Sequence, residues 1–220
     1  MITNDIRLAD LATHIPGAAG VLRRHRLDFC CKGQQTLEAA CEARGVDLEA
    51  LKAALEALDR GGPAPLEELA ALSPPALVDH IERRYHEPLR PAVQDLLALA
   101  RRVEQRHGER ADCPRGLAAL LERGAVELDL HLSKEEHVLF PAVRRGMTRE
   151  LLAPVSMMEH EHEEHGRFLE ELRRTASDFV PPPDACNSWR ALYLGLADLE
   201  NELLEHILVE NHLLFPRLRG

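Results

Sequence analysis

An all-α fold is predicted from three observations. Aromatic residues make up 4% of the 220 residues, while Ala, Leu, Glu and Arg abound, and this composition favours helix over sheet. Four long amphipathic segments follow one another from Pro74 onward, separated by short loops. The phrase HLSKEEHVLFP at His131 returns as HILVENHLLFP at His206. Together they predict an antiparallel four-helix bundle in up-down-up-down order, preceded by a small helical region.

The first part of the chain, residues 1–62, is predicted to form a small domain of short helices. Pro16 and Gly17 interrupt its first apolar stretch, and Gly45 interrupts the second. The stretch DRGGPAPLEELAALSPP then concentrates Gly and Pro. We therefore place the domain boundary near Gly61–Pro65 and assign residues 63–220 to the bundle.

The second and fourth long segments each carry a His and a Glu four residues apart on the apolar face. Positions i and i+4 of a helix lie one turn apart on the same side, so each pair projects in one direction. Steps of four and three residues trace one predicted apolar seam through Leu117, Leu121, Gly124, Leu128, His131, Glu135 and Val138. The same steps trace the other through Leu192, Leu196, Leu199, Leu203, His206, Glu210 and Leu213.

The first and third segments also repeat each other. His86 and His162 each begin a row of apolar positions, and they stand 76 residues apart, against 75 for His131 and His206. A helical hairpin of about 75 residues is therefore predicted to be duplicated. In an antiparallel bundle, two positions are level when the turn lies midway between them. The midpoints between successive histidine levels fall in the predicted loops, so the six residues are predicted to meet at one level of the core.

A metal explains why two carboxylates would be buried there. A buried carboxylate costs several kcal/mol unless a positive group neutralises it, and neither seam contains Lys or Arg. His with carboxylate suits iron, manganese or zinc. Six ligands exceed what a tetrahedral structural zinc needs. Two irons sharing two carboxylates, each with two imidazoles, leave room for an oxo or hydroxo bridge, so we predict a non-haem di-iron site with two iron ions per chain.

Several neighbouring residues compete for roles in this site. His160 and His165 are rivals of His162, which is preferred because its duplicate partner is His86. Glu127 and Glu161 lie close to ligands in sequence and are candidates for hydrogen bonding to a ligand imidazole or for an iron path. Acids at such positions are more often ordinary solvated surface residues.

Charge and cysteine usage restrict the compartment and the partners. The formal net charge of −10 disfavours nucleic-acid binding. The N-terminal stretch lacks the apolar core of a signal peptide, and no run of 18 apolar residues occurs, so a cytoplasmic protein without membrane partners is predicted. Five scattered cysteines form no disulfide framework, in keeping with a reducing compartment. The chain is expected to be a monomer or a homodimer.

Adjacent Cys30 and Cys31 are candidates for reactive thiols. They stand in the turn FCCKG beside Lys32 and below Arg23, Arg24 and Arg26, where positive charge could acidify a thiol. The alternative is that they are small buried hydrophobic residues. The sequence leaves both readings open.

With these motifs in view, the chain resembles a known family. HLSKEEHVLFP, HILVENHLLFP, YHEPLR and EHEHEEHG resemble the hemerythrin-like family, and with LDFCCKGQQTL the whole chain resembles the repair-of-iron-centres (RIC, ScdA-type) proteins. This resemblance implies a cytoplasmic di-iron protein that restores iron–sulfur clusters damaged by nitrosative or oxidative stress, by supplying iron. It also implies four terminal His ligands and two bridging Glu, which fall on His86, His131, His162, His206, Glu135 and Glu210.

Three other functions remain open at this point. The first is an enzyme whose di-iron site reduces nitric oxide or removes peroxide. The second is a sensor or carrier that binds O₂ or NO reversibly. The third is a helical interaction module without metal. Damaged iron–sulfur proteins are the expected macromolecular partners under the repair hypothesis, and whether the protein is an enzyme stays open.

Overall fold

Helices dominate both parts into which the described chain divides. The computed structural model describes residues 2–58, 66–147 and 149–219, and within them no strand forms beyond an isolated bridge between Arg7 and Thr36. One compact unit comprises Met1–Leu77 with Ile207–Arg217, and the other comprises Val78–His206 with Leu218–Gly220. The boundary predicted near Gly61–Pro65 lies outside the described residues.

The N-terminal unit consists of short helices whose ends follow local chemistry. Thr36 and Asp47 cap two of them, because their side-chain oxygens accept hydrogen bonds from the N–H groups of Ala39 and Ala50 at 3.3 and 3.0 Å. Gly45 ends one helix in the left-handed region, with φ of 65°, as the predicted break requires. The helices are α1 (Leu8–His14), α2 (Ala18–Arg24), α3 (Leu37–Arg44), α4 (Leu48–Glu56) and α5 (Glu67–Ala70), and the boundary between the two units falls within α6 (Pro74–Ile81).

Four long helices form the predicted antiparallel bundle. They and the short helices that continue two of them are α7 (Glu87–His107), α8 (Leu117–Lys134), α9 (Phe140–Arg144), α10 (Leu152–Thr175), α11 (Asn187–Val209) and α12 (Phe215–Leu218). Helix α8 packs against both α7 and α10. Arg173 of α10 donates two hydrogen bonds to the buried carboxylate of Glu200 on α11. Within the described chain, no helix has the length and apolarity that spanning a membrane requires.

Three π-helical turns interrupt the long helices, at Glu82–His86, Glu135–Leu139 and Glu210–Leu214. Each contains a predicted metal ligand. A π turn inserts one extra residue per turn and shifts the helical register. The predictions that Val138 and Leu213 continue the apolar seams are therefore wrong: Val138 is 58% exposed whereas Leu139 is 1% exposed, and Leu214 is buried in place of the partly exposed Leu213.

Candidate metal centre

All six predicted ligands are buried, although all six are polar. None exposes more than 1% of its surface: His86, His131, Glu135, His162, His206 and Glu210. The residues come from all four long helical segments. Such burial is unusual for ionisable side chains that are not paired with one another or with a metal.

The imidazoles face one another in two pairs. His86 Nε2 lies 3.1 Å from His206 Nε2, and His162 Nε2 lies 3.2 Å from His131 Nε2. Glu135 stands between the pairs, with its Oε2 atom 3.5 Å from both His86 Nε2 and His131 Nε2. One carboxylate thus reaches one member of each imidazole pair.

Two groups of potential ligand atoms follow from this arrangement, and within each group the atoms lie within 4.8 Å of one another. One group is His86, Glu135, His206 and Glu210, and the other is His131, Glu135, His162 and Glu210. The two carboxylates are common to both groups. Of the rival histidines, His160 is exposed beside Glu164, and His165 is buried but belongs to neither group.

His165 packs against the second group without joining it. Its ring stands edge-on to that of His131, with 4.7 Å between the centroids. Burial, together with the neighbouring histidines, lowers the pKa of His165 to about 2. A neutral imidazole therefore covers the His131 side of the candidate centre.

Glu136 holds the outer nitrogen of His86. Its Oε1 atom lies 2.9 Å from His86 Nδ1, and Arg90 donates two hydrogen bonds to the same carboxylate at 2.9 and 3.0 Å. Burial by itself would raise the pKa of Glu136, but the hydrogen bonds from Arg90 and His86 outweigh it and lower the pKa. A carboxylate acceptor on Nδ1 fixes the ring so that Nε2 points inward.

Glu161 does the same for His131. Glu161 Oε2 lies 2.9 Å from His131 Nδ1, and Lys134 donates to its other oxygen. The hydrogen bond with His131 and the one from Lys134 lower the pKa of Glu161 to about 2 against the effect of burial. Glu127 is exposed on α8.

This donor set fits metal ions of intermediate hardness. Imidazole nitrogen with carboxylate oxygen suits iron, manganese, zinc and copper, and no thiol lies in either group. The Nδ1 atoms of His86 and His131 are engaged by carboxylates, so their Nε2 atoms are the ones directed at the centre. The residues present therefore suit a metal site with four nitrogen and two carboxylate ligands.

The paired cysteines lie in the N-terminal unit beside Asp28. The sulfur atoms of Cys30 and Cys31 are 3.7 Å apart, and Asp28 Oδ1 accepts from the Cys31 N–H at 2.9 Å. The interaction with Cys31, burial and the charge of Asp28 raise the pKa of the Cys30 thiol well above its ordinary value. This direction is opposite to the acidification that the nearby basic residues suggested for Cys30, chiefly because contact with Cys31 and burial disfavour its thiolate.

Sequence reasoning missed Glu136 and Arg90. The available signal was the second acid in SKEEH, which stands where VENH has Asn211, together with an Arg one turn after His86. Tyr85 was also missed; its ring stacks on that of His206 with 5.3 Å between centroids. These contacts join segments far apart in sequence, so periodicity within one helix does not reveal them.

Comparison with known proteins places this geometry in a family. Residues 77–218 match the hemerythrin HHE cation binding domain, and residues 4–59 match ScdA_N, a domain of unknown function. Curated relatives span nearly the whole chain and are each named "Iron-sulfur cluster repair protein YtfE". The relative from Yersinia pseudotuberculosis is 44% identical over 97% of this chain and 96% of its own length. Those from Musicola paradisiaca and Edwardsiella ictaluri are 42% and 40% identical, covering 97% and 100% of this chain and 96% and 99% of their own lengths. The chain therefore belongs to the hemerythrin HHE family of cation-binding proteins, and its full-length relatives are named for iron–sulfur cluster repair.

Proposed function

We propose that the chain binds two iron ions and restores damaged iron–sulfur clusters by supplying iron. The four imidazoles of His86, His131, His162 and His206 would be terminal ligands, and Glu135 and Glu210 would bridge. The observation that carries the proposal is the pair of facing imidazole pairs with one buried carboxylate within 3.5 Å of both. The name shared by the full-length relatives supports the repair role.

Two ions suit the geometry better than one. Each imidazole pair offers two nitrogen donors, and Glu135 reaches both pairs through one oxygen. Two carboxylates common to both groups offset part of the positive charge of a pair of divalent ions. A closed tetrahedral zinc site would leave two of the six donors unused.

The protein residues govern how firmly the ions are held. Iron, when bound, supplies exchangeable ions and redox chemistry at this centre. His86 and His131 must be neutral at Nε2 to act as ligands, and their hydrogen bonds to Glu136 and Glu161 favour that orientation. Burial excludes bulk water from all six donors. Protonation of these donors competes with metal, so affinity should fall as pH falls.

The proposed setting is the cytoplasm, with damaged iron–sulfur proteins as clients. None of the five cysteines, all of which lie in the described part of the chain, forms a disulfide, in keeping with a reducing compartment. Nitric oxide, O₂ and peroxide are the small molecules proposed to meet the centre. We assign residues 1–62 to a small Cys-Cys domain and residues 63–220 to the iron-binding bundle.

The first test measures iron content and Mössbauer spectra of protein grown on iron-57. Wild type should hold two magnetically coupled irons per chain, and Glu135→Ala should lose them. Glu122→Ala is the matched control, because Glu122 is a mostly exposed acid on the same helix and is bonded to Arg101. Less than one iron per wild-type chain, or a zinc indifferent to Glu135→Ala, contradicts the di-iron proposal.

The second test separates delivery from turnover. The iron-loaded protein is mixed anaerobically with a dehydratase whose [4Fe–4S] cluster has been damaged by nitric oxide, and recovery of dehydratase activity is followed. Restoration with matching iron loss supports repair by delivery. Steady conversion of nitric oxide to nitrous oxide with an electron donor, or reversible gas binding without iron loss, would replace the repair role with the enzyme or the sensor.

A further inference from the structure

The duplicated hairpins support their ligands with different neighbours. Residue 85 stands 76 positions before residue 161, so Tyr85 and Glu161 are duplicate positions. Tyr85 stacks on His206, whereas Glu161 bonds His131. In the same way Glu136 corresponds to Asn211, yet Glu136 bonds His86 while Asn211 donates to the Cys30 carbonyl oxygen at 3.1 Å. The internal symmetry of the ligands therefore does not extend to the residues around them.

One carboxylate supports each imidazole pair, and the two are anchored differently. Both terminal nitrogens of Arg90 donate hydrogen bonds to the Glu136 carboxylate, and Arg90 Nε also donates to Asp129 at 2.7 Å. A planar guanidinium with three such bonds fixes the carboxylate in position and orientation. These hydrogen bonds connect α7 with α8. They extend from Arg90, whose side chain is 36% exposed, through Glu136 to the imidazole of His86, which is 1% exposed.

Glu161 has a weaker anchor. Lys134 offers one hydrogen bond from a flexible ammonium group that is 45% exposed. An exposed Lys contact constrains geometry little and is screened by salt. His131 can therefore turn away from the centre at lower cost than His86.

We propose that Arg90 and Glu136 are positioning residues that make the two metal positions unequal. The position at His86 and His206 retains its ion, and the position at His131 and His162 exchanges its ion first. This inference rests on the proposed two-iron function and deepens it, because the exchangeable position would be the one that supplies iron. A centre emptied from one end delivers one ion and retains the other.

The test follows anaerobic transfer of ferrous ions from the loaded full-length protein to a coloured ferrous chelator. Wild type should release one iron in a fast phase and one in a slow phase. Arg90→Met should accelerate the slow phase about 10- to 100-fold, the range typical for loss of a partner behind a ligand. Lys134→Met should change only the fast phase.

A matched control and a rescue separate positioning from general loosening. Arg101→Met removes another Arg–Glu pair between α7 and α8, the one with Glu122, and should leave both phases unchanged. Arg90→Lys should accelerate the slow phase less than Arg90→Met does. A further readout is the solvent exchange of hyperfine-shifted imidazole N–H protons in the cobalt-substituted protein. Arg90→Met should speed the exchange of one such proton, and Lys134→Met should speed the exchange of a different one. Neither variant should affect the other's proton.

The outcomes distinguish this inference from the proposed function. A wild type holding two irons that leave in a single phase, or an Arg90→Met effect confined to the fast phase, overturns the unequal positions and leaves the di-iron centre standing. An Arg101→Met effect equal to that of Arg90→Met also overturns them, since any bridge between the helices would then suffice. A wild type without two irons defeats the proposed function and this inference with it.

Discussion

Replacing Glu135 by Leu should leave the metal-free protein at least as stable as wild type and should reduce the stabilisation that iron provides. Glu135 is 0% exposed and lies 3.5 Å from His86 and His131. Burial of a carboxylate costs several kcal/mol, and an apolar residue of similar volume at the same position does not carry that cost. Metal-free Glu135→Leu should therefore unfold at the same temperature as metal-free wild type or at a higher one.

Iron should stabilise wild type more than it stabilises Glu135→Leu. At free ferrous ion 1,000 times its dissociation constant, binding stabilises wild type by about 4.1 kcal/mol, and for a chain of this size that raises the midpoint of unfolding by about 8–16 °C. If loss of one bridging ligand weakens binding 100-fold, the gain falls to about 1.4 kcal/mol, or roughly 3–6 °C.

The assay is anaerobic calorimetry of both proteins, with and without iron, beside Glu122→Leu as an exposed-site control. Equal iron-induced shifts in wild type and Glu135→Leu would refute the reasoning. A metal-free Glu135→Leu far less stable than metal-free wild type would refute the assumption that Glu135 is buried at a cost.

Two further predictions concern packing and charge. Gly124→Ala should destabilise the protein by about 1–3 kcal/mol in urea unfolding, because a Cβ there would lie 2.3 Å from the ring of Phe168; Gly20→Ala, where the nearest atom is 3.7 Å away, should be neutral or stabilising. Arg110 lowers the pKa of Asp112 by hydrogen bonding, so Arg110→Gln should raise that pKa toward its ordinary value in an NMR titration. Because the folded pKa is the lower one, the stabilisation is present above the unfolded value of about 3.9 and disappears as pH falls through the folded value. The stability difference between wild type and Arg110→Gln should therefore shrink from pH 5 to pH 2, and a difference that grows would contradict it.

The sequence determined the class of fold and the level at which the site forms. Periodicity placed His131 and Glu135 on one buried face, and duplication pointed to His162 rather than His160, which the structure leaves exposed. The burial of His131, Glu135 and His162 agrees with both inferences, because they concern spacing along one helix or the equivalence of two helices. Loop midpoints then gave the level of each helix without any knowledge of side-chain contacts.

Register beyond the ligands did not follow from the sequence. The seam passed through Glu135 to Val138 by regular steps, yet the π turn at Glu135–Leu139 exposes Val138 and buries Leu139. A π turn forms when tertiary packing outweighs the regular hydrogen-bond pattern, and apolar residues at both positions give no hint of it. The same shift replaces Leu213 by Leu214.

By itself, the sequence predicted six candidate ligands, their duplication and an all-helical fold, because these depend on periodicity and residue chemistry. Only the tertiary structure decided which acids support the imidazoles. Glu136 meets His86 and Glu161 meets His131 across helix pairs, at separations of 50 and 30 residues. Such contacts depend on how each helix is rotated about its axis, and that rotation is fixed by packing against its neighbours.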